Sequence, residues 1–230
     1  MTTPKEELIQ GIDRARVSGR AAAIDPPMSR VQIINLKSKV GTALPADIGE
    51  LVEYAAGFSV DGIAVHFGGE EAFEFESAFP RAVPIATDGA GNFWVVDIAS
   101  DGSWGAVFLV AHDPPVVVLQ ARDIAPFIAQ VFDAHDTAEL QNKLAAQIWK
   151  ANPYVISQEQ ALASPDPAVR AFAQQLNENF LIADLRDAAR GKGFVWGIAG
   201  PNTDVRRAEN QLLFATQQKK RGMLARLFWR

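Results

Sequence analysis

Ile48, Leu51, Val52 and Ala55 fall at i, i+3, i+4 and i+7, the spacing of one buried helix face. Pro45 suits the first helical position, and Asp47 and Glu50 sit near the N-terminus, where the helix dipole favours anions. Gly57 is expected to supply the left-handed residue that closes this helix. Upstream, Leu8, Ile12 and Ala15 form a looser stripe through residues 4–20, which Asp25-Pro26-Pro27 breaks. A second short helix is expected over Val31 to Val40, closed by Gly41.

Beyond Gly57 the period becomes that of strands. GIAVHF (62–67), AVPIAT (82–87), FWVVDI (93–98), GAVFLVA (105–111) and VVVL (116–119) are each bounded by turn residues, among them Asp88-Gly89-Ala90-Gly91-Asn92, Ser100-Asp101-Gly102-Ser103 and Asp113-Pro114. Pro84 puts the second of these at a sheet edge or a strand start. Turns this tight join antiparallel neighbours, because a parallel pair needs a long crossover. Asp123 then caps a helix whose Ile124, Phe127, Ile128, Val131 and Phe132 share a face, with Pro126 harmless in its first turn. Helices, a meander and another helix predict an α+β fold.

From residue 137 the pattern reads as a largely helical extension. Asp136-Thr137-Ala138-Glu139 and Ser157 to Gln160 read as capping boxes, and Asp166-Pro167 as an N-cap followed by a first-position proline. Val169, Phe172, Ala173, Leu176 and Phe180 suggest one long helix ending at Gly191. Gly193 to Ile198 suggests a strand, and Gln211 to Thr216 fits either element. The expected organisation is a domain over 1–136 and an extension over 137–230, packed on the same core.

Composition narrows the function. The chain of 230 residues has no cysteine, which excludes disulfides and thiolate chemistry. It has no apolar run of the roughly 20 residues that span a bilayer and no secretory leader, so a cytoplasmic protein is expected. The net charge of −5 is unevenly placed. Residues 40–136 hold fifteen Asp and Glu against Arg81 and Arg122, a net of −13; residues 1–39 are at +3 and residues 137–230 at +5. Such a centre repels nucleic acid and attracts a basic protein.

Catalytic constellations are hard to find. His66, His112 and His135 offer no metal-ligand spacing and read as hydrogen-bonded structural residues. There is no G-x-S-x-G elbow, and Gly89-Ala90-Gly91 precedes a strand, so no helix dipole stands ready for phosphate. No catalytic residue, metal or cofactor is therefore expected. The acidic run Glu70, Glu71, Glu74 and Glu76 alternates with Phe73 and Phe75, so in extended chain Glu70, Glu74 and Glu76 share one face and the two rings the other. Such a face suits binding or simple solvation better than acid–base work. The tail, with Lys219, Lys220, Arg221, Arg226 and Arg230 among Leu224, Leu227, Phe228 and Trp229, suits either an anionic membrane or RNA, or the acidic centre of its own chain.

The ordered set Leu44-Pro45, Gly57, Ala82 to Ala86, Asp88-Gly89-Ala90-Gly91-Asn92-Phe93-Trp94-Val95-Val96-Asp97, Gly105 to Phe108 and Asp123 to Ile128 resembles the SUKH superfamily of Knr/Smi-like domains over residues 30–135. The resemblance implies an α+β domain with a mostly antiparallel sheet. It also implies a non-enzymatic binding role, since many bacterial members are immunity proteins that neutralise toxin domains, others are regulatory modules, and no catalytic residue is shared. On this reading an acidic surface of Glu70, Glu71, Glu74, Glu76 and Asp101 meets a basic toxin domain. Trp104 is either an aromatic anchor in that surface or a core residue. A regulatory scaffold for an endogenous partner is the alternative.

Overall fold

The computed structural model of the protein describes residues 2–69, 73–141, 144–152, 154–177, 179–197, 200 and 203–218. The architecture is α+β. Its centre is a five-stranded antiparallel sheet in the order β10-β7-β6-β5-β4, built from β4 (Val83–Thr87), β5 (Phe93–Ile98), β6 (Trp104–His112), β7 (Pro115–Ala121) and β10 (Gly193–Val195). The first four are the expected meander, and β4 with its Pro84 takes the edge, where a missing N–H is tolerated.

Alternation along these strands splits the apolar residues between two cores. Trp94, Val96, Val107, Leu109, Val116 and Val118 face one side; Val95, Phe108, Val110, Val117 and Leu119 face the other. Cover on both faces explains why β6 and β7 read as unbroken apolar runs rather than as alternating ones. On the first side lie α1 (Pro4–Val17), α3 (Ala46–Tyr54) and α4 (Ile124–Asp133), through Leu8 and Ile12, Leu51 and Val52, and Phe127, Ile128 and Val131. A three-stranded sheet, β1 (Ala22–Ile24), β2 (Gly57–Val60) and β3 (Ile63–His66), joins the same core through Phe58, Val60, Ile63 and Val65. The helices start where capping chemistry directs: Thr3 and Glu6 make a capping box for α1, and Ser29 and Gln32 make one for α2 (Arg30–Val40), which ends at left-handed Gly41.

Gly57 departs from expectation. The helix α3 ends at an extended Ala55, and Gly57 opens β2. It is glycine for close approach: a Cβ there would strike the Val65 carbonyl oxygen across the β2–β3 ladder.

The second face is covered by Ala78 and Phe79 of the loop before β4 and, mainly, by chain beyond residue 150. A four-stranded sheet, ordered β11-β12-β9-β8, comprises β8 (Val155–Ser157), β9 (Phe180–Asp184), β11 (Val205–Arg207) and β12 (Leu213–Gln217). Ala183, Val205 and Phe214 pack toward the central sheet, where Phe214 lies 5.1 Å from Phe194, 5.7 Å from Phe79 and 6.2 Å from Phe108. Phe180, Ile182, Leu213 and Ala215 face the opposite way, against α7 (Gln158–Leu162) and α8 (Pro167–Gln174). Two further short helices, α5 (Thr137–Gln141) and α6 (Leu144–Ala151), follow α4, and α6 adds Leu144 and Ile148 to the first core.

The extension thus mixes four helices with five strands among its described residues, where the sequence pattern suggested mostly helix. The single helix expected from Val169 to Gly191 stops at Gln174. Asn179 is left-handed, with φ 76°, a state asparagine tolerates, and the chain restarts as β9 at Phe180. Leu176 and Phe180 matched a helical stripe by coincidence of spacing.

Candidate partner-binding surface

The acidic loop before β4 is pinned by its aromatic residues. Phe73 meets Phe93 edge-on at 5.6 Å, and Phe75 packs on Trp196 at 5.1 Å. The Phe75 carbonyl accepts from the Ala78 and Phe79 amides, closing a turn. With the rings turned inward, Glu74 and Glu76 stand exposed, as the alternation predicted. Glu70 and Glu71 lie outside the described residues, as does the basic tail from Lys219.

Asp101 occupies the turn between β5 and β6 and is exposed. Its Oδ1 accepts from the Ser103 hydroxyl at 2.7 Å and the Ser103 amide at 2.9 Å. These hydrogen bonds hold the carboxyl below its ordinary range, so the group is charged at neutral pH. Glu76 lines a cleft of about 490 Å³ together with Arg81, with Ala99 and Gly105 at the ends of the Asp101 turn, and with the hairpin from Arg207 to Leu212; Glu74 and Asp101 are not among its lining residues. Among the described residues Glu74, Glu76 and Asp101 make no ion pair, whereas Asp61 is matched by Arg20 and Glu7 by Arg14. Trp104 is not part of this surface. It is 9% exposed and packs in the first core, which is the core alternative of its two readings.

The cleft also holds a pair that sequence reasoning missed. Asp97, 6% exposed, receives the Arg207 guanidinium at both oxygens, Nη1 to Oδ1 at 2.5 Å and Nη2 to Oδ2 at 2.7 Å. The guanidinium also donates to the Ala78 and Gln211 carbonyls and lies over the Phe214 ring at 5.4 Å. A lone Asp inside FWVVDI was the available signal, since a carboxylate in a strand buried on both faces requires a cation. Which cation was not legible from so many in the extension.

The Asp88 turn is architectural. Gly89 and Gly91 have φ of 74° and 86°, the left-handed conformations this turn requires. Asp88 Oδ1 accepts from the Ala90 and Asn92 amides at 2.9 and 3.2 Å, and Oδ2 from Asn92 Nδ2 at 2.6 Å and Gln141 Nε2 at 2.9 Å. Asn92 Oδ1 in turn accepts from the His112 amide at 3.0 Å. The Ala90 and Asn92 amides a phosphate would seek are already committed to Asp88. Burial opposes ionisation of Asp88, but the hydrogen bonds from Asn92 and Ala90 outweigh it and set the carboxyl below its ordinary value of 3.8. A carboxyl lowered in the fold adds stability above its unfolded-state pKa and loses it as pH falls through the folded value. Urea unfolding at stepped pH should therefore show stability declining below about pH 4, and Asp88→Asn should flatten that decline.

The three histidines are dispersed. His66 lies 3.5 Å from Asp25, His135 sits 3.1 Å from Glu139, and His112 ends β6 beside Gly91. Among the described residues no group of three or more His, Asp or Glu is placed to hold a metal ion, and no helix is long and apolar enough to cross a membrane.

A search of curated proteins gives no match. The family model described as SMI1 / KNR4 family (SUKH-1) matches residues 27–130. The match takes in α2, α3, β2 to β7 and most of α4, and leaves out the C-terminal sheet that closes the second core. Over residues 27–130, then, the chain is similar to the SMI1 / KNR4 family (SUKH-1).

Proposed function

We propose that the protein is a non-enzymatic binding module that offers Glu74, Glu76 and Asp101, together with Glu70 and Glu71, to a basic protein partner, and that it acts as an immunity protein for a toxin domain. The observation that supports this reading is the exposure of Glu74, Glu76 and Asp101, none of which is ion-paired with a cation among the described residues. A solvated carboxylate that has no internal partner keeps its full field for an incoming one. Nucleases present basic surfaces to phosphate, and an acidic inhibitor can cover such a surface. Electrostatic steering of this kind raises association rates by about 10- to 10³-fold and weakens steeply with salt. The similarity to the SMI1 / KNR4 family (SUKH-1) over residues 27–130 agrees with a binding role.

The test is association kinetics with the partner recovered from the native cell and purified. The triple variant Glu74→Lys, Glu76→Lys, Asp101→Lys should associate at least about tenfold more slowly at low salt and lose most of its salt dependence. An unchanged association rate would overturn the mapping. A partner that is an endogenous regulator rather than a neighbouring toxin would favour the scaffold reading.

A further inference from the structure

The helix α2 buries only Leu36 and Val40 of its eleven residues. Val31 and Ile34 stand 66% and 63% exposed, one turn apart on its outer face. On one flank, Gln32, Asn35 and Lys39 line a groove of about 610 Å³, whose far wall includes His66 and Gly68 and whose floor is Met28, Leu36 and Ala56. On the other flank, Ile33 and Lys37 border a second cavity of about 320 Å³ against α3. The helix is therefore a ridge between two depressions, with an aliphatic crest.

Its composition makes this exposure unusual. Val31, Ile33, Ile34, Asn35 and Ser38 are indifferent helix formers, and a helix of eleven residues draws its stability mainly from the face it packs. Here that face is narrow, and the ends do much of the holding: Ser29 Oγ accepts from the Gln32 amide, Gln32 Oε1 accepts from the Ser29 amide, and Gly41 closes the C-terminus. A rigid, capped helix with uncovered aliphatic residues has the form of a contact element.

Charge selects the occupant. α2 carries Arg30, Lys37 and Lys39 and no acidic residue. Arg30 and Lys37 make no ion pair among the described residues. A second copy docked about a two-fold axis would set α2 against α2, cation against cation. A membrane would gain only two aliphatic side chains, with no aromatic residue on the helix to seat at the interface. We infer that α2 is a docking ridge for an acidic, amphipathic protein segment, whose aliphatic residues cover Val31 and Ile34 and whose carboxylates meet Arg30 and Lys37. The charges on α2 itself are opposite in sign to the carboxylate surface, while Glu50 and Glu53 of α3 line the cavity beside Lys37, so the crest and the Arg30 end carry the contact.

The experiment is amide chemical-shift mapping on the full chain. One probe is a synthetic helical peptide with Leu at i, i+3, i+4 and i+7 and Glu at its outer positions; the control has Lys for Glu. The acidic peptide should saturably perturb residues 30–40, and the basic one should not. Val31→Asp with Ile34→Asp should weaken the acidic peptide by about tenfold or more, and Arg30→Glu with Lys37→Glu by a similar factor. Both pairs are exposed, so thermal unfolding should be unmoved, and the carboxylate-surface variant should bind the peptide normally. The inference is overturned if neither peptide perturbs α2, or if both do equally. It is equally overturned if sedimentation shows self-association that the Val31/Ile34 variant abolishes, or if phosphatidylserine vesicles bind the chain through the same residues while the peptide does not.

Discussion

Arg207→Ala is expected to destabilise the fold by about 3–5 kcal/mol, because it strands a buried carboxylate. Asp97 sits within β5 at 6% exposure, and both its oxygens face the Arg207 guanidinium. Without the arginine, the Asp97 carboxylate has no cation in place of those bonds, and the Ala78 and Gln211 carbonyls lose donors as well. Most of the cost is the unpaired charge, not the intrinsic strength of the pair. The double variant Asp97→Val, Arg207→Met should therefore recover much of the loss, since apolar replacement of a buried ion pair is often near neutral. Urea unfolding of the two single variants and the double variant measures this directly. If the single losses simply add in the double, the pair is not coupled and the explanation fails.

Phe214→Ala is expected to cost a further large amount, about 3–5 kcal/mol, for a different reason. The ring is fully buried and touches Phe79, Phe108 and Phe194, which come from the acidic loop, the central strand β6 and the late strand β10. Truncation opens a cavity where these elements meet and removes the surface under the Arg207 guanidinium. Phe214→Leu keeps most of the volume and should lose less than about 1.5 kcal/mol. A loss below about 1 kcal/mol for the alanine variant would mean that the C-terminal sheet does not depend on this packing.

The sequence showed its meander clearly because β4 to β7 are separated by turns of strong chemistry: Asp88 to Asn92, Asp101-Gly102 and Asp113-Pro114. Helix starts at Asp123, Ser157 and Asp166 were equally legible, since these residues cap by local rules, whereas the caps at Thr3 and Ser29 emerged only with the structure. The C-terminal sheet was not. Its strands run to three or five residues, too short to establish a period, and their partners are distant, as when Val155 pairs Ala183 and Asp184 pairs Leu213. β2 was hidden because Gly57 has two uses, ending a helix and admitting a neighbouring backbone, and sequence alone favours the first.

At the surface, the Phe73/Glu74/Phe75/Glu76 alternation exposed its logic directly. Trp104 did not, because an aromatic residue after a turn can point to water or to core with the same neighbours in sequence. The docking ridge was equally hidden. Val31, Ile33, Ile34, Leu36 and Val40 look like material for burial, and only the fold reveals that two of the five are left outside.

The late arrival of β10 and β12 has a consequence for biosynthesis. Residues 27–130 emerge from the ribosome with one side of their sheet, Val95, Phe108, Val117 and Leu119, covered only in part, by Phe79 and the loop around it. The β7 edge that later receives Phe194 is also unpaired at that stage. At about 5–20 residues per second, several seconds pass before Phe214 can seal that side. During that interval the nascent chain displays an adhesive apolar sheet, so a holding chaperone, or slow and dilute expression, should decide its yield more than the stability of the finished fold.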